Sequence, residues 1–283
     1  MAAPIRKMSQ FVNVAANSIA TLSLNELQGH SVHGIVLELG GTFTKTHITD
    51  ITLTVGGKPI IPGITGNQLQ DLNDYEGFSS DASYLTIWFG DPTLEGVAAG
   101  HVGDLDLSYY NRVSSVLEVT IGGATSPTLQ AYALIGPPKS LMNFDFSERD
   151  VANHRALIRS ILSPAAAVTK QGYPISVGSQ AGARIRKIAL FHANLTSVEF
   201  KKNAISIHDD VTAALNNFVQ AEYARVPQSG LYMLDHVADG ALGKADATVN
   251  ANGQPFPTQF NITTSGSDTI TVFADVMVPL QLI

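Results

Sequence analysis

The sequence of 283 residues is 45% hydrophobic and only 14% charged, with a net charge of −7. This length suits two domains of about 140 residues each. The lack of cysteine excludes disulfides, thiolate metal sites and a cysteine nucleophile. No basic cluster supports sequence-independent nucleic-acid binding, and no apolar run reaches the roughly 18 residues of a transmembrane helix. A charged fraction well below the usual value of about 25% indicates extensive burial, part of it between subunits.

The first half of the chain predicts short strands separated by glycine-rich turns. Residues 1–10 are predicted to be a mobile or partner-dependent arm. A hairpin turn is predicted at Gly56-Gly57, and helical spacing predicts a short helix over residues 65–75. Residues 91–108 are predicted to be a loop. Alternating or β-branched runs predict strands in the ranges 11–24, 32–39, 48–60 (a pair), 83–89, 115–121 and 129–135.

A different pattern follows between residues 139 and 172. The segment Asp150–Leu162 carries apolar residues at helical spacing, and Pro164 would stop a helix. We therefore predict a helical connector between two domains.

The second half repeats the order of the first. Shifting the segment Ile48–Tyr75 by 147 positions places it on Leu195–Glu222 without a gap, with apolar residues on apolar residues. Both copies predict an alternating strand, a tight turn, a short strand and a helix, the second helix being expected over 210–223. Further strands are predicted over 184–192, 231–237, 258–264 and 270–278. A period near half the chain indicates a duplicated domain rather than a solenoid.

Many short strands with long cross-connections favour β-sandwiches of the jelly-roll type. The fold class predicted is all-β, with two tandem eight-stranded jelly rolls that each carry a short helix in a connection and are joined by a helical linker. The boundaries predicted are 1–138 for the N-terminal jelly roll, 139–172 for the helical linker and 173–283 for the C-terminal jelly roll.

Three patches carry a family resemblance: Asn13-Val14-Ala15-Ala16, the strand pair from Ile48 to Ile60, and Arg184–Phe200. Together with the duplicated architecture, they resemble the double jelly-roll major capsid proteins of tailless icosahedral viruses with an internal membrane. Among these, the chain is most similar to the corticovirus-type bacteriophage coat protein. The resemblance implies two sheets in each roll, with strand orders BIDG and CHEF.

The same resemblance implies a structural protein without catalytic, cofactor or metal residues. It implies pseudo-hexagonal homotrimers, contacts with neighbouring capsomers and with a penton or vertex protein, and a place in the virion capsid after assembly in the bacterial cytoplasm. Contact of the N-terminal arm, through Arg6 and Lys7, with the internal membrane is left open, and no direct nucleic-acid contact is expected. The alternatives are a receptor- or glycan-binding tandem jelly-roll module and, less favoured, a jelly-roll glycan amidase.

Two groups of residues have some features of metal sites. His30, His33 and Glu38 faintly resemble a cupin site, but residues three apart on a strand point to opposite faces, so surface histidines are the better interpretation. Asp104 and Asp106 have the spacing of a calcium loop, to which Asp91 and Glu95 could add ligands; calcium needs about six to eight oxygens. A solvated loop is favoured, with an inter-subunit calcium ion as the minority hypothesis.

Catalytic and sugar-binding patterns are equally weak. Helix capping accounts for Asp209 and Asp210 after His208, and adjacent strand residues Asp235 and His236 cannot form a dyad. The aromatic sets that could stack on a sugar are more typical of a core or an interface; they are Trp88 with Tyr84, and Tyr109 with Tyr110.

Overall fold

The computed structural model describes residues 4–110, 112–142, 151–175, 183–250 and 252–279, except for the side chain of residue 97. The strands of the first unit are β1 (Ile5–Lys7), β2 (Ser18–Ser23), β3 (Ser31–Gly41), β4 (Ile48–Val55), β5 (Lys58–Ile64), β6 (Tyr84–Trp88), β7 (Leu105–Asp106), β8 (Ser115–Ile121) and β9 (Pro127–Gly136). Its helices are α1 (Gly66–Tyr75) and α2 (Val97–Val102), with 3-10 turns at Asn25–Leu27, Lys45–His47 and Lys139–Leu141.

The second unit follows the same plan. Its strands are β10 (Asn153–Leu162), β11 (Val168–Gly172), β12 (Arg184–Phe191), β13 (Leu195–Lys202), β14 (Ile205–Thr212), β15 (Leu231–Asp235), β16 (Asp246–Ala247), β17 (Thr258–Thr264) and β18 (Ile270–Pro279). Its helix is α3 (Ala213–Glu222), and a 3-10 turn lies at Leu242–Lys244. No helix among the described residues is long and apolar enough to cross a membrane.

Each unit consists of two antiparallel sheets. The first unit pairs β1-β9-β3-β6 in one sheet and β2-β8-β4-β5 in the other. The second unit repeats this as β10-β18-β12-β15 and β11-β17-β13-β14. With the short β7 and β16 left aside, these are the BIDG and CHEF orders, so the predicted double jelly roll is confirmed. The cores lie between facing sheets and include residues such as Leu22, Leu53, Val198 and Phe260, each contributing about 1.5–3 kcal/mol on burial.

The duplication predicted from the sequence is present in the backbone. Strands β4 and β6 and helix α1 map onto β13, β15 and α3 with the 147-residue offset at both ends. The hairpin turn recurs too: Gly56 and Gly57 have φ of 60° and 78°, and Asn203 and Ala204 have φ of 52° and 60°. The left-handed region favours glycine. The first copy has glycine at both positions, and the second copy has none.

Threonine caps both of the repeated helices. The Gln68 amide donates to Thr65 Oγ1 at 3.2 Å, and the Leu215 amide donates to Thr212 Oγ1 at 3.3 Å. A side-chain oxygen at the N-cap accepts from an otherwise unpaired amide of the first turn. The second helix therefore begins at residue 213, and the expectation that it begins near Asp210, capped by Asp209 or Asp210, is wrong.

The predicted helix over 150–162 is also wrong for Asn153–Leu162, which forms β10 and pairs with β18 along its whole length. Residues 168–172 form β11, which pairs with β17. Much of the expected helical linker 139–172 is therefore strand in the second unit. The predicted part that falls on residues 143–150 lies outside the described residues.

The N-terminal arm is corrected in the same way. Residues 5–7 form β1 and pair with β9, with Ile5 opposite Leu134. Met8 is buried, and its backbone amide donates to the Ala131 carbonyl at 3.0 Å. This segment is part of the first sheet, and Arg6 lies 3.9 Å from Glu26 as a partly exposed ion pair.

Candidate functional site

The junction between the two units has an apolar centre. Strand β10 packs against β5, and the Leu157 side chain faces α1 of the first unit, with Ala156 beside it. Both residues are buried. The residues of the first unit around them are Ile61, Leu69, Leu72, Ile87, Trp88 and Phe89. A strand of one unit thus completes the core of the other.

A buried ionic cluster lies at one end of this centre. Glu76, just after α1, accepts from Arg225 Nη1 at 2.7 Å and pairs with Lys187. Asp235 lies 3.4 Å from Arg225 Nε and 3.7 Å from Lys187 Nζ. Burial lowers the pKa of Lys187 to about 8, although the charge of Asp235 opposes that shift. Because its side chains are almost fully buried, each charge of this cluster depends on its partners.

A second ionic cluster is centred on Asp275. Arg155 on β10 donates from Nη2 to Asp275 Oδ2 at 2.8 Å and from Nη1 to the Trp88 carbonyl at 3.2 Å. Arg186 bridges Asp275, at 3.3 Å, and Asp91 of the first unit. Burial alone would raise the pKa of Asp275, but the charges of Arg155 and Arg186 hold it below the usual value.

Both clusters place acids of the first unit against cations of the second. A displaced unit would leave buried charges unpaired, which is strongly unfavourable. The two jelly rolls are therefore held in one relative orientation.

The equivalent face of the second unit is exposed. Helix α3 presents a row of apolar side chains: Leu215, Phe218, Val219 and Tyr223. By the repeat, Val219 corresponds to Leu72, and the exposed fractions of the two are 41% and 9%. Ile205 and Ile207 on β14 are exposed too, and a cleft of about 310 Å³ lies between β14 and α3. We call these six residues the α3 face.

The cupin-like trio is not assembled. The Glu38 carboxylate accepts from the Tyr132 hydroxyl at 2.8 Å, whereas His33 faces Asp104, with His33 Nδ1 at 2.8 Å from Asp104 Oδ1. His30 lies on the turn before β3, and its buried Nδ1 has no hydrogen-bond partner among the described residues.

The four acidic residues weighed for calcium do not converge on one point. The Asp106 carboxylate accepts from the backbone amides of Ser108 and Lys139 at 2.9 and 2.8 Å. Asp91 pairs with Arg186, as described above. Asp104 instead lies between two imidazoles, and the second of these, His101, was missed by the sequence analysis.

His101 lies three residues before Asp104, with Nδ1 at 2.8 Å from Asp104 Oδ2. The hydrogen bond that the Asp104 carboxylate accepts raises the pKa of His101. The spacing H-x-x-D was the one sequence signal for this contact, and it is common by chance.

The candidates for catalysis are separated. His208 contacts the Tyr232 hydroxyl at 2.5 Å, and burial lowers its pKa to about 4. Asp210 instead pairs with Lys170 at 3.1 Å. Asp235 belongs to the junction, whereas the ring of His236 packs on Phe200.

The four aromatic residues weighed for sugar stacking differ in their surroundings. Trp88 stacks near Phe78 with ring centroids 5.2 Å apart, and its carbonyl lies in the junction. The buried Tyr110 packs edge-on against Tyr109 and donates to the Ala152 carbonyl at 2.7 Å. Tyr84 lies in β6, opposite Glu38 of β3. Tyr110 is thus part of the core, whereas Tyr84 and Tyr109 are 45% and 48% exposed.

Duplicated BIDG and CHEF sheets with a helix before the G strand define a double jelly-roll protein, the architecture of viral capsid subunits. The family models of viral coat protein P2 match the chain, its N-terminal domain over residues 5–136 and its C-terminal domain over residues 156–280. The chain therefore belongs to the viral coat protein P2 family and is a capsid protein of the virion.

Solved structures share the fold at low identity. The major capsid protein P2 from bacteriophage PM2 matches with a TM-score of 0.81 and 16% identity, over 98% of this chain and 97% of that one. A chain of Sulfolobus turreted icosahedral virus matches at 0.63 and 13%, over 99% and 92%. One from the PBCV-1 virus capsid matches at 0.56 and 13%, over 99% and 95%. No curated protein sequence matches the chain.

Proposed function

We propose that this protein is a major capsid protein that forms pseudo-hexameric trimers, builds the icosahedral shell of a tailless phage with an internal membrane, and catalyses nothing. The observation that carries the proposal is the exposed α3 face. Its counterpart in the first unit, on α1, is covered by the second unit.

The duplication supports a ring. A contact between different surfaces of identical partners repeats until the ring closes. Within the chain, β10 of the second unit covers α1 of the first. The equivalent contact between chains places β1 of one copy on the α3 face of another, because β1 pairs with β9 as β10 pairs with β18. Ile5 on β1 is exposed, and three chains supply the six units of a pseudo-hexagon.

Further partners follow from the geometry of a shell. Pseudo-hexagonal trimers leave the fivefold positions open, so a separate penton or vertex protein is part of the proposal. Arg6 is partly exposed near the N-terminus, which favours contact with an anionic membrane surface there. The net charge of −7 does not favour direct contact with nucleic acid. Assembly in the cytoplasm of a bacterial host belongs to the same proposal.

We also propose that the unit boundary lies between β9 and β10. The predicted boundary at 172/173 would separate β10 and β11 from their partners. Pairing of these strands with β18 and β17 supports placing them in the C-terminal jelly roll.

Light scattering after size exclusion tests the trimer. We expect a mass about three times the 30.0 kDa of the chain. Phe218→Asp should give folded monomers, because it puts a charge in the centre of the α3 face, where Phe218 is 63% exposed.

Leu141→Asp is the matched control, since Leu141 is 71% exposed but lies outside the α3 face. It should remain trimeric. A monomeric wild type at micromolar concentration would contradict the trimer, and a trimeric Phe218→Asp variant would contradict the contact surface assigned to it.

A further inference from the structure

Two histidines and one aspartate of the first unit meet around a single buried carboxylate. His33 Nδ1 and His101 Nδ1 each lie 2.8 Å from a different oxygen of Asp104. The Asp104 side chain is only 2% exposed. Three ligand atoms, one from each residue, all lie within 4.8 Å of one another.

Strand pairing and a backbone turn bring these three residues together. Strand β7 pairs with β3, so Asp104 just before β7 lies beside His33 on β3. The Asp104 amide donates to the His101 carbonyl at 3.0 Å, which closes the turn after α2. Gly90 lies against the cluster, and a Cβ there would come within 2.0 Å of His33 Nδ1 and 2.5 Å of Asp104 Oδ1. A side chain at this position would displace the cluster.

We propose that His33, His101 and Asp104 form a binding site for a divalent transition-metal ion of the zinc class. Two imidazole nitrogens and one carboxylate are a common three-ligand set for such ions, with a fourth position left for water or another group. Calcium is disfavoured because it takes about six to eight oxygen ligands. None of the three residues belongs to the two ionic clusters of the junction or to the α3 face.

Binding needs only small movements. Ligands about 2.0–2.1 Å from a tetrahedral ion are roughly 3.3 Å apart. The two nitrogen-to-oxygen distances here are 2.8 Å, and all three ligand atoms lie within 4.8 Å of one another. His101 can move outward because its side chain is 29% exposed at the end of a short helix. Ser31 Oγ lies 3.3 Å from Asp104 Oδ2 and orients the carboxylate, as outer partners of metal ligands do.

The site would also stiffen the loop that receives the second unit. The Arg155 amide of β10 donates to the Gly103 carbonyl at 2.9 Å, one residue from Asp104. The segment between β6 and β7 also carries Asp91, which pairs with Arg186. An ion that binds the folded site alone raises the unfolding temperature by mass action.

The single tryptophan of the chain gives a direct readout, because the rings of Trp88 and His33 are 5.6 Å apart. Untagged full-length protein, stripped with EDTA, is titrated with Co²⁺ while its fluorescence is followed, and Zn²⁺ is then added to displace the Co²⁺. We expect saturable quenching at one ion per chain. Zn²⁺ should also raise the unfolding temperature.

His101→Ala and Asp104→Asn should each weaken binding by about 10- to 100-fold or more. His101→Ala removes a partly exposed group and is expected to fold, which circular dichroism checks. It is therefore the variant that decides the test if Asp104→Asn does not fold. His47→Gln, which changes a histidine before β4 in the other sheet, should bind as the wild type does. No saturable binding up to about 100 µM, or equal binding by folded His101→Ala, would overturn the proposal.

Discussion

Helices α1 and α3 occupy the same position in the two jelly rolls, yet one is covered and the other is exposed. Each helix anchors itself alike: Asn73 Nδ2 donates to the Thr86 carbonyl at 2.8 Å, and Gln220 Nε2 donates to the Met233 carbonyl at 3.4 Å. The fold of the unit therefore needs only the inner side of the helix. The outer side is free to specify a partner.

The outer sides differ in chemistry. After α1 comes Glu76, which meets the cations of the second unit, whereas the equivalent residue after α3 is the exposed Tyr223. The contact within the chain is thus fixed by buried charge. The contact proposed between chains is apolar, so it can form and dissociate without stranding a buried ion.

The largest effect on the covered side should come from Asp275→Asn. This change leaves Arg155 and Arg186 without their shared carboxylate, and breaking a buried ion pair costs about 3–5 kcal/mol. Denaturant unfolding measures the loss. Tyr132 lies on β9, the first-unit counterpart of β18, and serves as the control: Tyr132→Phe should stay near the wild-type midpoint. Similar unfolding midpoints for both variants would contradict the claim that buried charge stabilises the junction.

A cavity pair compares the two helices directly. Leu72→Ala should lower the free energy of unfolding by about 2–5 kcal/mol, since Leu72 is buried at the junction. Val219→Ala should cost the isolated monomer much less, because Val219 is partly exposed. Both are measured in the Phe218→Asp background so that assembly does not contribute. Equal losses would mean that the α3 face is covered within the monomer.

Lowering the pH should destabilise the protein through His154 on β10, the strand that lies at the junction. Burial lowers the pKa of His154 to about 3, far below its ordinary value of 6.5. The unfolded chain therefore takes up the proton first as pH falls below about 6.5, and this stability is lost progressively down to about pH 3. His154 alone should account for about 2 kcal/mol between pH 7 and pH 5.

Denaturant unfolding of the wild type and of His154→Leu at pH 7 and pH 5 measures the loss of stability that His154 causes. The variant should show a shallower loss with acid, and His47→Gln is the control. Because burial also lowers the pKa values of His192, His208 and His236, part of the acid sensitivity should persist in the variant. Parallel pH profiles for wild type and His154→Leu would contradict this assignment.

The smallest effect concerns the hairpin turns before the two helices. Ala204 has a φ of 60°, where its counterpart is Gly57. Ala204→Gly should stabilise the second unit by about 0.5–1 kcal/mol, because the left-handed conformation costs a residue with a Cβ about 1–2 kcal/mol and glycine gives back part of that in chain entropy. A thermal melt of the reciprocal Gly57→Ala variant should show a lower unfolding temperature. A lower unfolding temperature for Ala204→Gly, or a higher one for Gly57→Ala, would contradict this account of the turns.

The sequence was most informative where one side of an element faces a core and the other does not. Strand β8, Ser115–Ile121, alternates buried and half-buried residues, and its predicted bounds are those observed. The repeat was equally reliable, because β4, the turn and α1 recur with the same offset. Local periodicity was enough for these elements.

Strand β10 was mispredicted for a physical reason. It packs against its own unit on one side and against the first unit on the other, so residues 153–157 are buried or half-buried in succession. A strand covered on both faces loses its period of two, and the remaining apolar spacing resembles a helix. The His33–Asp104 contact was missed because it depends on the register of β7 on β3, which no local pattern encodes.

Joining two jelly rolls in one polypeptide also changes the kinetics and the concentration dependence of building a ring. The contact between β10 and β5 forms within a single molecule, at the high effective concentration of linked partners. A ring of six such units then needs three bimolecular contacts instead of six. In the proposed trimer, subunit concentration accordingly enters the assembly equilibrium as its third power rather than its sixth, so such a ring would persist at dilutions that would disperse six separate rolls.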